Sequence, residues 1–190
     1  MSSRIEKDFV FDACIHFENH FLINSYNVEI SFLIETSDIV EQNTAIDRVG
    51  YFIYNCINHS LFIQDNEKEA IGKYKDAGLK VIETPEAPFD QILSMLLLVK
   101  LNTISEGRLK ITDLTLGSTF SDGIRFCMVS EIAEDVVNTT DHNLWWNQVS
   151  ICTKNGVTQQ DTSDSNILKL FEDEGWAEAG LSWQPKQKKK

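Results

Sequence analysis

Two histidines stand four residues apart, His16 and His20, in the segment FVFDACIHFENHF (residues 9–21), which also carries a cysteine and two acids. Histidine, cysteine and carboxylate side chains are common zinc ligands. The alternation of apolar residues over 9–17 predicts a strand, however, and residues four apart on a strand are separated by about 13 Å. Two imidazoles cannot share one ion at that distance. We therefore interpret both histidines as ordinary surface or edge residues rather than as a metal site.

His59 and Glu86 have structural explanations of their own. His59 ends a predicted helix, where a cation is favoured by the helix dipole, and Glu86 lies near the start of another, where a carboxylate is favoured. The segment LGSTFSDG (residues 116–123) is rich in glycine and hydroxyl groups but lacks the lysine of a P-loop. We predict a hairpin turn there. The serines and histidines do not show the spacing of a hydrolase triad.

The elements that must position these residues follow from the hydrophobic periodicity. Period-two alternation predicts strands, and apolar residues at three-, four- and seven-residue spacings predict helices. The predicted order is strand 9–17, strand 26–35, helix 39–58, a short helix at 67–77, a long helix within 84–102, and strands 108–116 and 123–131. The first two strands and the last two are joined by turns, as in hairpins. This pattern predicts an α+β domain with a four-stranded antiparallel sheet and helices on one face.

Composition narrows the class of protein. The chain has 190 residues and a formal net charge of −12, which argues against nucleic-acid binding because phosphate neutralisation needs lysine and arginine. The N-terminal MSSRIEKD lacks the apolar core of a signal peptide, so we expect a cytoplasmic protein. The longest apolar run, ILSMLLLV, is too short to span a bilayer, so no membrane contact is expected. The four widely spaced cysteines are expected to be buried reduced thiols, with disulfides or zinc binding as the alternatives.

The sequence becomes mainly polar near residue 136. We assign 1–135 to the α+β domain and 136–190 to a polar C-terminal extension that ends in the lysine-rich PKQKKK, which we interpret as a solvated tail. The extension is expected to dock in part through four aromatic anchors: Trp145, Trp146, Phe171 and Trp176. It also offers a surface for a protein partner.

Four segments in this order resemble one family. KDFVFDACIHF, NSYNVEISF, INHSLFI and ETPEAPFDQIL are similar to successive motifs of the tunnelling-fold (T-fold) proteins related to 6-pyruvoyl-tetrahydropterin synthase and 6-carboxytetrahydropterin synthase, over residues 7–130. The resemblance implies a zinc held by one histidine of the first strand and two of the second. It also implies a proton-handling cysteine and Asp–His pair, a ring-anchoring glutamate, and stacked rings of subunits with sites at their interfaces.

The chain departs from this family where the metal should be. The three ligand positions hold Ile15, Leu22 and Asn24, and aliphatic side chains cannot bind zinc. The catalytic cysteine has no counterpart, and no acid stands at 116–118, where the ring-anchoring glutamate is expected. Two positions match: His59 corresponds to the catalytic histidine, with Asn58 in place of its aspartate partner, and Glu86 corresponds to the helix-start glutamate.

We therefore expect a non-catalytic T-fold protein without metal or cofactor, acting as a homo-oligomeric binding or structural component. The alternative is an enzyme or binder of a pterin- or purine-like molecule that uses His59 as a catalytic residue and Glu86 as a ligand-binding residue without zinc. Such an enzyme would be a lyase similar to the pterin or deazapurine synthases. An unrelated α+β protein is a further alternative that composition leaves open.

Overall fold

The computed structural model describes residues 4–130 and 144–149. The strands are β1 Arg4–Phe17, β2 His20–Ile34, β3 Ser60–Gln64, β4 Val81–Thr84, β5 Leu109–Ser118 and β6 Arg125–Val129. The α-helices are α1 Ile39–Tyr51, which continues as a π-helix over Phe52–Ile57, α2 Lys68–Asp76 and α3 Asp90–Ser105. Short 3₁₀ turns cover Thr119–Ser121 and Trp145–Asn147.

The predicted hairpin of β1 and β2 is present, with a tighter turn than expected. Glu18 and Asn19 form a two-residue turn with φ of 48° and 63°, and positive φ at both central residues is the geometry that matches strand twist in short hairpins. The register pairs Phe17 with His20 and continues to Arg4 and Leu33. The second strand therefore begins at His20, six residues before the predicted start.

One face of this hairpin forms the main core. Phe9, Phe11, Ala13 and Ile15 of β1 are buried there, opposite buried residues of β2, and helices α1 and α3 pack against this face. Burial of one large side chain of this kind stabilises the fold by roughly 2–3 kcal/mol. The alternation seen in the sequence therefore corresponds to one helix-covered face, as predicted.

The sheet has six strands, not the four that the sequence predicted. Its order is β4-β3-β1-β2-β5-β6, and the β1–β3 and β3–β4 pairings are parallel, so the sheet is mixed. Strand β3 was missed because Ser60, Leu61, Phe62 and Ile63 are all buried. A strand covered on both faces is apolar throughout and shows no alternation. Strand β4 has only four residues, too few for a periodic signal.

The helices do not all lie on one face, which corrects a second expectation. Ile71 of α2 packs with Leu61, Ile63 and Val81 in a separate hydrophobic cluster that also contacts Cys14. Cys14 alternates with the residues that face α1 and α3, so α2 covers the opposite side of the sheet. The β4–β3–β1 end of the sheet therefore lies between two layers of helix.

Residues 144–149 pack onto the domain. Trp145 and Trp146 are buried, and the indole Nε1 of Trp145 donates to the carbonyl of Glu83 over 2.7 Å. The Nζ of the fully buried Lys100 on α3 donates to the carbonyls of Trp145 and Gln148 over 2.8 and 2.6 Å. The other two predicted anchors, Phe171 and Trp176, lie outside the described residues, as does the boundary predicted at 135.

The three cysteines of the described residues are of two kinds. Cys14 and Cys127 are free thiols, as expected, but Cys127 is exposed, so the burial expected for it is wrong. Cys56 is disulfide-bonded, so the reduced state expected for it is wrong. As for the membrane, no helix in residues 4–130 or 144–149 is long and apolar enough to cross a bilayer.

Candidate functional site

A cavity of about 310 Å³ opens on the helix-covered face, at the end of the sheet where the β1–β2 hairpin meets the N-terminus of α3 and the β5–β6 turn. The hairpin register creates one wall, because Ile15 lies opposite Leu22 and Asn24 follows two residues later on the same face. The other apolar walls come from Phe89 before α3 and from the turn and strand beyond β5, namely Phe120, Ile124 and Phe126.

The three positions where the family resemblance places zinc ligands all line this one cavity. Ile15 and Leu22 contribute only hydrocarbon. The Oδ1 atom of Asn24 already accepts hydrogen bonds from Thr119 Oγ1 at 2.6 Å and from the Phe120 backbone N–H at 3.3 Å. Zinc prefers thiolate, imidazole or carboxylate ligands in a tetrahedral set. The residues present at these positions therefore do not fit zinc.

Asn24 carries a donor that points into a buried region without a partner. The side chain is 1% exposed, and its Nδ2 makes no hydrogen bond. The orientation of the amide follows from its neighbours, since only the oxygen can accept the Phe120 N–H. A buried donor without a partner costs about 1–3 kcal/mol. The protein group beside this amide is the hydroxyl of Tyr26, and the amide is too buried to reach the open cavity.

Tyr26 lies beside Asn24 on the same strand face. Its ring stacks on Phe11 with centroids 4.8 Å apart, and its buried hydroxyl has no hydrogen-bond partner. Burial raises the pKa of the Tyr26 phenol far above its ordinary value, and the charges of Asp90 and Cys14 add to the rise. The Asn24 amide opposes the rise but lies outside ordinary hydrogen-bond geometry with the phenol. The hydroxyl therefore stays protonated.

The carboxylate of the cavity is Asp90, the first residue of α3. Its Oδ2 accepts a 2.5 Å hydrogen bond from Ser118 Oγ at the end of β5, and the helix N-terminus favours a negative charge at this position. Asp90 thus brings a carboxylate to the end of β5, where residues 116–118 carry no acidic side chain. The sequence signal for this residue is an aspartate in the first helical turn, which by itself indicates only helix stabilisation.

His59 and Glu86 do not line this cavity and are not brought together in one chain. His59 is exposed at a φ of 57° just before β3, and its N–H donates to the Asp12 carbonyl. Glu86 is exposed just after β4. Strands β3 and β4 are parallel, so the two residues lie at opposite ends of this pair, about 15 Å apart along the strands. Their functional roles remain predictions.

His16 is buried, which corrects its interpretation as a surface residue. It is 2% exposed and packs edge-on against Phe21 and Tyr74, with centroids 5.1 and 5.6 Å away. Its Nδ1 lies 3.0 Å from a Glu67 carboxylate oxygen, outside hydrogen-bond geometry. It faces α2, away from the cavity, while His20 is exposed at the hairpin turn. In the described ranges no three histidine, cysteine or acidic side chains are close enough to hold a metal ion.

A second cavity of about 320 Å³ lies on the other face of the sheet. Val10, Asn27, Gly117 and Arg125 form one row across four strands there. Arg125 lies over Gly117 and forms an ion pair with Glu29. This cavity is an exposed groove whose cation is already paired, so it makes a weaker candidate site than the first.

The described residues therefore define an α+β protein with a six-stranded mixed sheet and an aromatic-lined cavity. No protein-family model and no curated protein matches the sequence. Solved structures with a similar fold include an uncharacterised protein of Wolinella succinogenes, at 11% identity and a TM-score of 0.49, covering 68% of this chain and 99% of that one. Another is a catalytic-residue mutant of the 6-pyruvoyltetrahydropterin synthase of Plasmodium vivax, at 8% identity and a TM-score of 0.41, covering 67% and 97%. At these levels of identity neither neighbour informs the chemistry of the cavity, which is inferred from its own residues.

Proposed function

We propose that this chain is a non-catalytic tunnelling-fold protein that acts as an oligomeric binding or structural component. The observation that carries the proposal is the meeting of Ile15, Leu22 and Asn24 on one cavity wall. The motif resemblance places the three zinc ligands of the family at these positions. The chain thus combines the geometry expected of the site with side chains that cannot coordinate the metal.

Two features support assembly into an oligomer. Among the described strands, β4 and β6 lie at the edges of the sheet, and an edge strand can pair with a strand of another chain. Phe120 and Ile124 beside β6 are 60% and 62% exposed. A protein partner through the extension is also proposed, but Trp145 and Trp146 are buried in the domain and do not provide that contact.

Restoring the ligands tests the proposal directly. In a variant with Ile15→His, Leu22→His and Asn24→His, two imidazoles lie opposite each other and the third lies two residues along the same face. We expect this variant to bind one zinc per chain and the wild-type chain to bind none, measured by elemental analysis after purification and dialysis. Wild-type chain should also show no turnover of dihydroneopterin triphosphate.

A matched control shifts two of the three substitutions by one residue. Ile15→His with Ile23→His and Ser25→His introduces the same number of histidines, but a one-residue shift places two of them on the opposite face. This control should not bind stoichiometric zinc. Stoichiometric zinc and turnover in the wild-type chain would overturn the proposal. Failure of the first variant to bind zinc, while folded, would contradict the relationship to the tunnelling fold.

Native mass spectrometry tests the assembly. A ring-sized oligomer such as a tetramer, pentamer or hexamer agrees with the proposal. A clean monomer at micromolar concentration would remove the oligomeric part of it.

A second candidate function is binding of a pterin- or purine-like molecule with His59 and Glu86. The observation in its favour is that exposed Glu86 lies three residues before Phe89, which lines the cavity. Because His59 lies at the other end of the parallel strand pair, it would have to come from a second subunit. A thermal-shift screen with pterins, GTP and deazapurines tests this function. An identical response in wild type and Glu86→Ala would count against it.

A further inference from the structure

Cys56 is both buried and oxidised. It lies on the π-helix that continues α1, and its sulfur belongs to a disulfide bond. The structure contains one chain, so both sulfur atoms of the bond belong to the same molecule. Cys14 and Cys127 are free thiols. Of the four cysteines in the sequence, Cys152 is the one that is left to be the partner, and it lies outside the described residues.

The segment 144–149 brings the chain to the helix that carries Cys56. Trp145 stacks on Phe52, with ring centroids 6.3 Å apart, and Phe52 precedes Cys56 by about one helical turn. The carbonyl of Val149 accepts a hydrogen bond of 3.4 Å from the guanidinium of Arg48 on the same continuous helix. The last described residue before Cys152 is therefore anchored to the element on which Cys56 lies.

The length of chain after Val149 is compatible with a bond between the two cysteines. Cys152 follows three residues later, and three residues of extended chain span up to about 10 Å. The Cα atoms of a disulfide lie up to about 7 Å apart. Arg48 and Cys56 are separated by about 12 Å along the helix axis. Cys152 is therefore within reach of Cys56.

Helix α3 holds the same segment by hydrogen bonds. The Nζ of Lys100 donates to the carbonyls of Trp145 and Gln148 over 2.8 and 2.6 Å. The hydroxyl of Thr103 donates to the carbonyl of Trp146 over 3.1 Å. Hydrogen bonds of this kind are individually weak in water, because water competes for the same groups. A covalent bond just beyond the segment would keep it in place when these bonds break.

We propose that Cys56 and Cys152 form a disulfide that holds the segment 144–149 on helices α1 and α3. When the bond forms, the two sulfur atoms join, and two electrons and two protons pass to glutathione disulfide, which becomes two glutathione thiols. Cytosolic thiols keep most protein cysteines reduced, so in the cytoplasm expected for this chain the bond would respond to oxidation. The proposal is independent of the proposed function, because neither zinc nor the cavity enters it.

Peptide mapping tests the pairing. Folded wild-type chain is incubated with glutathione disulfide, alkylated, digested with trypsin and Glu-C, and analysed by mass spectrometry before and after reduction. Glu-C is needed because Glu131 lies between Cys127 and Cys152 in a stretch without lysine or arginine. We expect the peptides of Cys56 and Cys152 to be joined until reduction. Alkylated Cys152, or a bond from Cys56 to Cys14 or Cys127, would overturn the proposal.

Thermal unfolding tests whether the bond stabilises the fold. A cross-link between residues so far apart in sequence restricts the unfolded chain. Cys152→Ala should therefore melt about 5–15 °C below oxidised wild type and should not respond to dithiothreitol. Cys127→Ala is the matched control, because it removes an exposed free thiol, and its melting temperature should change by less than about 2 °C. Equal melting of Cys152→Ala and oxidised wild type would contradict the bond.

Hydrogen exchange tests whether the bond holds the segment itself. The backbone N–H groups of Asn147 and Gln148 donate to the carbonyls of Leu144 and Trp145 over 2.9 and 3.3 Å. Their exchange should be at least about tenfold faster in folded Cys152→Ala than in oxidised wild type. Reduced wild type provides the same comparison without a substitution. Equal exchange in the oxidised and reduced chains would show that the hydrogen bonds suffice and would overturn the holding role of the disulfide.

Discussion

Lys100 provides the sharpest test of how the described part of the C-terminal region is held. Its fully buried side chain donates from Nζ to the carbonyls of Trp145 and Gln148, and Nζ lies 5.7 Å from the ring centroid of Phe52. Lys100→Met keeps an apolar stem of similar length and removes the hydrogen bonds to Trp145 and Gln148. At about 1–1.5 kcal/mol for each, we expect the free energy of unfolding to fall by about 2–3 kcal/mol.

The pH dependence of this effect has a definite sign. Burial lowers the pKa of Lys100 well below its ordinary value of 10.5, and the nearby charge of Arg48 lowers it further. Between the folded pKa and 10.5 the unfolded chain binds more protons than the folded chain, so wild-type stability rises with pH over that window. A methionine has no such linkage. The deficit of Lys100→Met should therefore be larger at pH 9.5 than at pH 7.

Urea unfolding followed by circular dichroism at the two pH values measures both effects. Lys110→Met is the matched control, because Lys110 is an exposed residue of β5 and its loss should change stability by less than about 0.5 kcal/mol. A deficit below about 1 kcal/mol would refute the role given to the two hydrogen bonds. A deficit that shrinks as pH rises would refute the claim that burial disfavours the charged amine.

Three further predictions concern the fold around the site. Tyr26→Phe removes a buried hydroxyl without a partner, so the melting temperature should stay the same or rise; a loss above about 1 kcal/mol would reveal a bond to the hydroxyl. Asn19→Val should lower the free energy of unfolding by about 1–2 kcal/mol because φ is 63° there, whereas Asn19→Gly should not. A chain of residues 1–135 should unfold at least about 4 kcal/mol more easily than a chain of residues 1–149, which keeps the two buried tryptophans; equal urea midpoints would contradict this.

Local patterns predicted the hairpin and much of its core. The alternation of Phe9, Phe11, Ala13 and Ile15 assigned one face of β1, and the same pattern placed His16 on the other face. The environment of His16 was not predictable in this way, because Phe21 comes from the neighbouring strand and Tyr74 from a helix on the second face. Periodicity gives the direction of a side chain on its own element and carries no information about what covers that face.

The candidate site shows even more clearly that sequence periodicity does not predict which distant residues come into contact. The family resemblance singled out Ile15, Leu22 and Asn24, but the second strand was predicted to begin only at residue 26, so the register that places them on one wall was not predicted. The hydrogen bonds of Asn24 were not predictable either, because Thr119 lies 95 residues further along the chain. Asp90 carried only a helix-start signal, and its contact with Ser118 joins α3 to β5 across 28 residues. Long-range packing thus supplied the polar chemistry of the cavity.

These two contacts join the elements that form the walls of the cavity. The Asn24–Thr119 bond ties β2 to the β5–β6 turn, and the Ser118–Asp90 bond ties β5 to the start of α3. With its walls joined by side-chain hydrogen bonds, the cavity cannot shrink without breaking them. The two bonds therefore fix β2, β5 and the start of α3 relative to one another around the cavity.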